Sequence, residues 1–159
     1  MIKLLDLIEA KQVGVLYHFT SFYYLHDIIE DNFILKSTIM PFVSFTRNKQ
    51  MNTDTVSNSV RITIDGNKLS DKYRILPHAD TEGGYGRNIT DESEERISLK
   101  RYPQGVNIKN CILKIDLLNP LINEPDPEES EPPMWSHYIN VRKLMEKNGI
   151  KYSIIENYK

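Results

Sequence analysis

Alternating apolar and polar positions over residues 13–21 predict a strand in which His18 faces away from its apolar neighbours. The residues that share the other face are Val13, Val15, Tyr17 and Phe19. Residues 22–31 then place apolar side chains at helical spacing, and Ser21 stands where an N-cap is expected. The pattern predicts a strand, an N-cap and an amphipathic helix in succession.

Further segments along the chain carry the same strand signature. The predicted strands are 33–36, 42–47, 60–64, an apolar alternation at Ile97 and Leu99, a central strand within 108–118, and 150–155. Two amphipathic segments predict helices at 2–11 and 135–147, and Asp65-Gly66 predicts a turn after residues 60–64. Several strands with few intervening helices indicate an α+β fold.

Long polar stretches separate these elements. Residues 48–59 and 70–91 predict loops, although the second segment, which contains several glycines, also fits a flap over a site. Residues 119–133 contain five prolines and five acidic residues, which predicts a surface linker before the last helix and strand. At 159 residues the chain is expected to form a single domain, residues 1–159.

The composition of the chain limits which partners, ligands and cellular location are expected for the protein. The 20 basic and 22 acidic residues nearly balance, so no overall charge favours nucleic acid or an anionic membrane. The only cysteine, Cys111, lies in an apolar run and is expected to be a buried thiol. His26 and His78 have no partners at metal-ligand spacing, so no metal site is predicted. The first ten residues fit neither a signal peptide nor a membrane span, which predicts a cytoplasmic protein.

Three separated segments of the chain contain polar residues that are candidates for a functional site. They are His18, then Ser44, Thr46 and Arg47, then Glu92, Glu94 and Glu95. A neutral histidine can hydrogen-bond a ribose hydroxyl, and an arginine can hold a pyrophosphate through two bonds. A glutamate can stabilise positive charge on an anomeric carbon while a glycosidic bond breaks. These types of residue together suit a cleft that binds a ribose.

Each of these residues also has a purely structural interpretation. His18 alone fits a partly buried structural histidine, and Arg47 at a strand end fits a solvated surface charge. The three glutamates fit the acidic first turn of a helix capped by Asp91, where carboxylates favour the helix dipole. The spatial arrangement of the three segments decides between these interpretations.

Three short segments resemble the motifs of the ADP-ribosyltransferase fold, in the branch with a histidine on the first strand. They are Tyr17-His18-Phe19-Thr20-Ser21 with the following helix, Val43-Ser44-Phe45-Thr46-Arg47, and Glu94-Glu95-Arg96-Ile97. The resemblance spans about residues 13–118. It implies a split, mixed or antiparallel sheet with a few flanking helices. Phe45 stands where this branch usually has a tyrosine.

The resemblance also implies roles for single residues, with NAD as the substrate. The implied NAD-binding residues are His18, Thr20, Ser44, Phe45, Thr46 and Arg47. Among them, His18 would bind a ribose, and the middle of the second segment would form a shelf for the nicotinamide. Glu95 or Glu94 would be catalytic, and the spacing leaves open which of these two, or Glu92, leads the third motif.

The function that follows from this resemblance is transfer of ADP-ribose from NAD to a macromolecular acceptor, either protein or nucleic acid. The polar segments 48–59 and 79–91 are available to recognise the target. A non-catalytic binding or inhibitor protein on the same scaffold is the alternative, with the acidic linker at 124–131 contacting a partner. An RNA-directed transferase is a third possibility, for which an obvious basic patch is lacking.

Overall fold

The computed structural model describes six stretches of the chain, and their elements form an α+β fold. The described residues are 13–35, 41–50, 59–77, 94–100, 102–118 and 134–155. The strands are β1 (Val15–Thr20), β2 (Phe33–Ile34), β3 (Phe42–Thr46), β4 (Val60–Asp65), β5 (Leu76–Pro77), β6 (Glu94–Ser98), β7 (Val106–Asn107), β8 (Ile112–Leu118) and β9 (Tyr152–Ile155). The helices are α1 (Phe22–Asp31), α2 (Gly66–Ser70) and α3 (Met134–Lys147). The predicted α+β class is therefore confirmed.

Seven strands form one mixed sheet in the order β5-β6-β3-β1-β4-β8-β9, and β2 pairs with β7 in a second, two-stranded sheet. Neighbouring strands of the large sheet are antiparallel, except that β8 and β9 run parallel. Parallel neighbours need a crossover connection, and α3 lies between these two strands in the chain. Strand β1 occupies the middle of the sheet, with β3 on one side and β4 on the other.

The hydrophobic core lies on the face of the sheet that carries His18. On β1, Leu16 and Thr20 share this face and are buried, whereas Val15 on the other face is 46% exposed. Core side chains from the neighbouring strands and from helices α1 and α3 are Val43, Phe45, Val60, Ile62, Ile64, Ile97, Ile115, Leu117, Leu25, Ile28, Ile29, Val141 and Met145. The predicted alternation of β1 is confirmed. The core packs on the His18 side because the neighbouring strands direct their aliphatic side chains there.

Helix α1 begins where the sequence predicts. The Ser21 side chain caps it by accepting a hydrogen bond from the backbone N–H of Tyr23 at 3.3 Å. Asn32 ends it in the left-handed conformation, at φ 59°. Near the C-terminus, the predictions of α3 and β9 are also confirmed. So is the burial of Cys111, which is 1% exposed, and this burial raises the pKa of its thiol.

The predicted turn at Asp65-Gly66 is wrong, because Asp65 ends β4 as the N-cap of helix α2 and the helix begins at Gly66. The Asp65 carboxylate caps that helix by accepting a hydrogen bond from the backbone N–H of Lys68 at 3.2 Å. The backbone N–H of Gly66 donates to the carbonyl oxygen of Gly14 at 2.7 Å, and a Cβ on Gly66 would lie 2.5 Å from that oxygen. Glycine is needed here because two backbones approach closely.

The acidic segment before Ile97 is a strand where the structure describes it. The interpretation of the glutamates as the first turn of a helix is wrong for Glu94 and Glu95, which begin β6. The predicted strand within 108–118 is β8, an interior strand between β4 and β9. The predicted helix at 2–11, the linker at 119–133, most of both long loops and Glu92 lie outside the described residues.

Candidate functional site

Strands β6, β3 and β1 lie side by side and bring four of the predicted site residues, His18, Thr20, Phe45 and Glu95, to one face of the sheet. Strand β3 is in the middle, and its Phe45 pairs directly with Glu95 on β6. The ring centroids of His18 and Phe45 lie 5.6 Å apart, with 53° between the ring planes. Residues that are far apart in the sequence therefore meet on adjacent strands. The face that carries them is called the His18 face below.

The protonation state of His18 follows from its environment. Its Nδ1 lies 2.9 Å from the backbone carbonyl oxygen of Ser44, which can only accept, so Nδ1 carries a proton. Burial lowers the pKa of His18, and the bond to Ser44 offsets this only in part. The ring is therefore neutral at pH 7, with its lone pair on Nε2. Within the described stretches of the chain, Nε2 has no hydrogen-bond partner.

Glu95 is a nearly buried carboxylate held by one arginine. Its side chain is 8% exposed, and the side chain of Arg47 is 35% exposed. Nε of Arg47 donates a hydrogen bond to Oε1 of Glu95 at 2.7 Å, and Nη2 of Arg47 forms an ion pair with the same oxygen at 2.7 Å. The residues that the structure describes give the other oxygen, Oε2, no hydrogen bond. One carboxylate oxygen is thus fixed, and the other keeps its lone pairs.

Thr20 also lies on the His18 face, two residues after His18 on β1, and is 8% exposed. It directly precedes the N-terminus of α1. There the backbone N–H of Phe22 donates to Oγ of Ser59 at 2.9 Å, and the carbonyl of Ser59 accepts from the N–H of Leu118 at 2.7 Å. Ser59 therefore joins the first residue of α1 and the end of β8 to the start of β4. No sequence signal indicates this role, because Ser59 closes a largely polar segment in which it resembles its neighbours.

The structure does not bring the two hydroxyls of β3 to the His18 face. Ser44 and Thr46 alternate with Phe45 and lie on the opposite face, although the backbone carbonyl of Ser44 reaches His18. Phe45 itself is 1% exposed. A ring buried this deeply packs beneath His18 and presents no open face on which a ligand could stack.

Register distinguishes the two glutamates of β6. Glu95 pairs with Phe45, and Glu94 pairs with Thr46. Because successive residues of a strand alternate between faces, Glu95 belongs to the His18 face and Glu94 occupies the alternate position. The side chain of Glu94 lies outside what the structure describes.

The sequence interpretation missed a buried ion pair on the opposite face of the sheet. Arg61 on β4 pairs in register with Asp116 on β8, and their side chains are 3% and 2% exposed. Nη2 of Arg61 lies 2.8 Å from Oδ2 of Asp116, and Nζ of Lys114 lies 2.6 Å from Oδ1 without forming an aligned hydrogen bond. The available signal was a charged residue inside each of two largely apolar strands, Arg61 in β4 and Asp116 in β8.

No model of a protein family matches this chain, and no curated protein sequence is significantly similar to it. Among the described residues, no group of three or more histidine, cysteine or acidic side chains is placed to hold a metal ion. No helix in these stretches is both long and apolar enough to cross a membrane.

Proposed function

We propose that this protein is an NAD-dependent ADP-ribosyltransferase that modifies a macromolecular acceptor, either protein or nucleic acid. The observation that carries the proposal is the meeting of His18 and Glu95 on one face, on the two strands that flank Phe45. In this reaction the bond between nicotinamide and ribose breaks, and ADP-ribose passes to the acceptor. The chemistry needs one group to hold the ribose and another to stabilise the positive charge that develops on it.

His18 suits the first role. A neutral ring with its proton on Nδ1 offers Nε2 as an acceptor for a ribose hydroxyl. The bond to the Ser44 carbonyl and the contact with Phe45 fix the direction in which Nε2 points. The ring is therefore oriented before substrate binds, and little conformational entropy is lost on binding.

Glu95 suits the second role. Its carboxylate is held in one orientation by Arg47, and Oε2 remains available to face a developing positive charge. In a largely buried site, such an interaction is stronger than it would be in water. Nη1 of Arg47 makes no hydrogen bond to the described part of the chain, so the guanidinium keeps donors for a pyrophosphate oxygen.

The second candidate is a non-catalytic binding or inhibitor protein on the same scaffold. The observation that favours it is that the hydrogen bond and the ion pair of Arg47 both go to Glu95, so a positive charge already lies against the carboxylate. A glutamate paired with an arginine in this way could serve only to join β6 to the end of β3. The two candidates differ in turnover and can be separated by experiment.

Incubation with NAD labelled in its adenylate part, together with a cell extract, tests the proposal. We expect the wild-type protein to label macromolecules and Glu95→Gln to label them far less. Glu146→Gln is the matched control, because that glutamate lies on the exposed face of α3, with its side chain 58% exposed. Digestion of the labelled product with protease or nuclease then identifies the acceptor class. Absence of labelling by the wild-type protein, with no release of nicotinamide, would instead favour the non-catalytic candidate.

A further inference from the structure

The buried pair of Arg61 and Asp116 lies on the opposite side of the sheet from the His18 face, since Arg61 pairs with Phe19 while its neighbour Ile62 pairs with His18. Nε and Nη2 of Arg61 donate to Oδ2 of Asp116 at 3.1 and 2.8 Å. The Tyr17 ring also lies near the guanidinium, with its centroid 5.9 Å from Cζ. These contacts fix the orientation of the arginine head group.

The third guanidinium nitrogen of Arg61 contacts the segment that carries Arg47. Nη1 of Arg61 donates to the backbone carbonyl oxygen of Lys49 at 2.7 Å. Within residues 46–50, Oγ1 of Thr46 accepts from the N–H of Asn48 at 3.0 Å, and Oδ1 of Asn48 accepts from the N–H of Gln50 at 2.8 Å. Two consecutive turns of this kind stiffen the segment, and Arg61 ties it to the sheet.

We propose that Arg61 is a positioning residue for the candidate site. It fixes the Lys49 carbonyl and thereby holds Arg47 against Glu95 on the other side of the sheet. Asp116 contributes by orienting Arg61. Lysine cannot replace this arginine, because a single ammonium group lacks the planar fork that reaches both Asp116 and the Lys49 carbonyl. The consequence for catalysis rests on the proposed function, whereas the placement of Arg47 does not.

The NMR signal of the Arg47 Nε–H group tests the placement directly. That signal is assigned by its disappearance in Arg47→Lys, and in the wild-type protein the bond to Glu95 protects it from exchange with water. In Arg61→Lys we expect it to move to the position of a solvated arginine and to exchange about tenfold faster or more. A protected, unshifted signal in folded Arg61→Lys would overturn the proposal.

Lys114→Gln is the matched control. Lys114 contacts the same carboxylate at 2.6 Å but pairs with Thr63 rather than with Arg61, so its removal should leave the Arg47 signal protected. Loss of the signal in both variants would mean that Arg47 responds to any general loosening of strands β4 and β8, and would overturn the specific role of Arg61. If Arg61→Lys does not fold, Asp116→Asn replaces it, because it loosens Arg61 with an isosteric side chain. The Arg47 signal should then broaden, and an unchanged signal would overturn the proposal.

Nicotinamide release separates this inference from the proposed function. We expect Arg61→Lys to lower kcat, and the same change made in an Arg47→Ala background to cause no further loss, because the held group is already gone. Equal losses in both backgrounds would indicate a general structural role and would overturn the positioning role. If no variant and no wild-type sample releases nicotinamide, the proposed function fails, and the NMR signal alone decides whether Arg61 places Arg47.

Discussion

At the scale of single residues, the candidate site depends on two polar side chains whose surroundings fix their state. His18 is neutral because burial opposes its charge, and the Ser44 carbonyl selects the tautomer. Glu95 stays in place because Arg47 donates a hydrogen bond to one of its oxygens and forms an ion pair with the same oxygen. Neither the neutral state of His18 nor the fixed position of Glu95 can be predicted from residue type. A histidine or a glutamate on a solvated strand would lack the burial and the partners that produce these states.

The substitution His18→Asn tests the neutral state of the histidine. The asparagine side chain would keep a donor for the Ser44 carbonyl but cannot titrate. The folded-state pKa of His18 lies below its ordinary value of 6.5, so the unfolded chain binds this proton more readily. The stability that depends on neutral His18 is therefore complete above about pH 6.5 and is lost as the pH falls towards the folded-state pKa.

Urea titrations of the wild-type protein and of His18→Asn between about pH 5 and pH 8 measure how the free energy of unfolding depends on pH in each protein. We expect the free energy of unfolding to fall less steeply with acid in the asparagine variant than in the wild-type protein. The same dependence on pH in both proteins would mean that His18 is not held neutral by burial.

At the scale of elements, local signals predicted most of the strands and helices but not how they meet. The spacing of apolar residues located β1, α1, β3, α3 and β9, because each pattern is local. The pairing of Glu95 with Phe45 could not be predicted, since it depends on contacts between segments that are distant in the chain. Asp65-Gly66 was misjudged for the same reason, because the glycine is required by its close approach to the Gly14 backbone, which no local pattern reveals.

Replacing Gly66 with alanine tests the junction between β4 and α2. The added Cβ would lie 2.5 Å from the Gly14 carbonyl oxygen and 2.7 Å from a methyl carbon of Val13, so a backbone must shift. We expect unfolding in urea to require roughly 1–3 kcal/mol less free energy. Asn67→Ala, at the adjacent exposed position, should change it by less than about 0.5 kcal/mol. Equal stability of Gly66→Ala and the wild-type protein would contradict this packing.

Replacing Ser21 with alanine tests the start of α1. The substitution removes the acceptor for the Tyr23 N–H, and a lost N-cap typically costs about 1 kcal/mol of stability. The melting temperature in thermal unfolding measures this loss of stability. Ser98→Ala, at an exposed position of β6, is the matched control and should leave the melting temperature nearly unchanged. If both substitutions lower the melting temperature equally, Ser21 has no capping role.

At the scale of the whole molecule, the order of strands in the large sheet creates the site. Strand β3 lies between β1 and β6, so His18 and Glu95 sit on the two neighbours of Phe45 and face the same way. The sequence suggested that such residues belong together, and the structure brings His18, Thr20, Phe45, Arg47 and Glu95 to this region. It leaves the side chains of Ser44 and Thr46 on the opposite face, because alternation along β3 assigns every second residue to each side.

The rate at which nicotinamide is released from NAD, compared between the wild-type protein and Glu95→Gln, tests the central claim most directly. Glutamine preserves the size of the side chain and removes the charge that would face the ribose. We expect the wild-type protein to release nicotinamide and the variant to do so about 10² to 10³ times more slowly, with NAD affinity little changed. Equal rates in the two proteins, or no release by the wild-type protein, would contradict a catalytic role for Glu95.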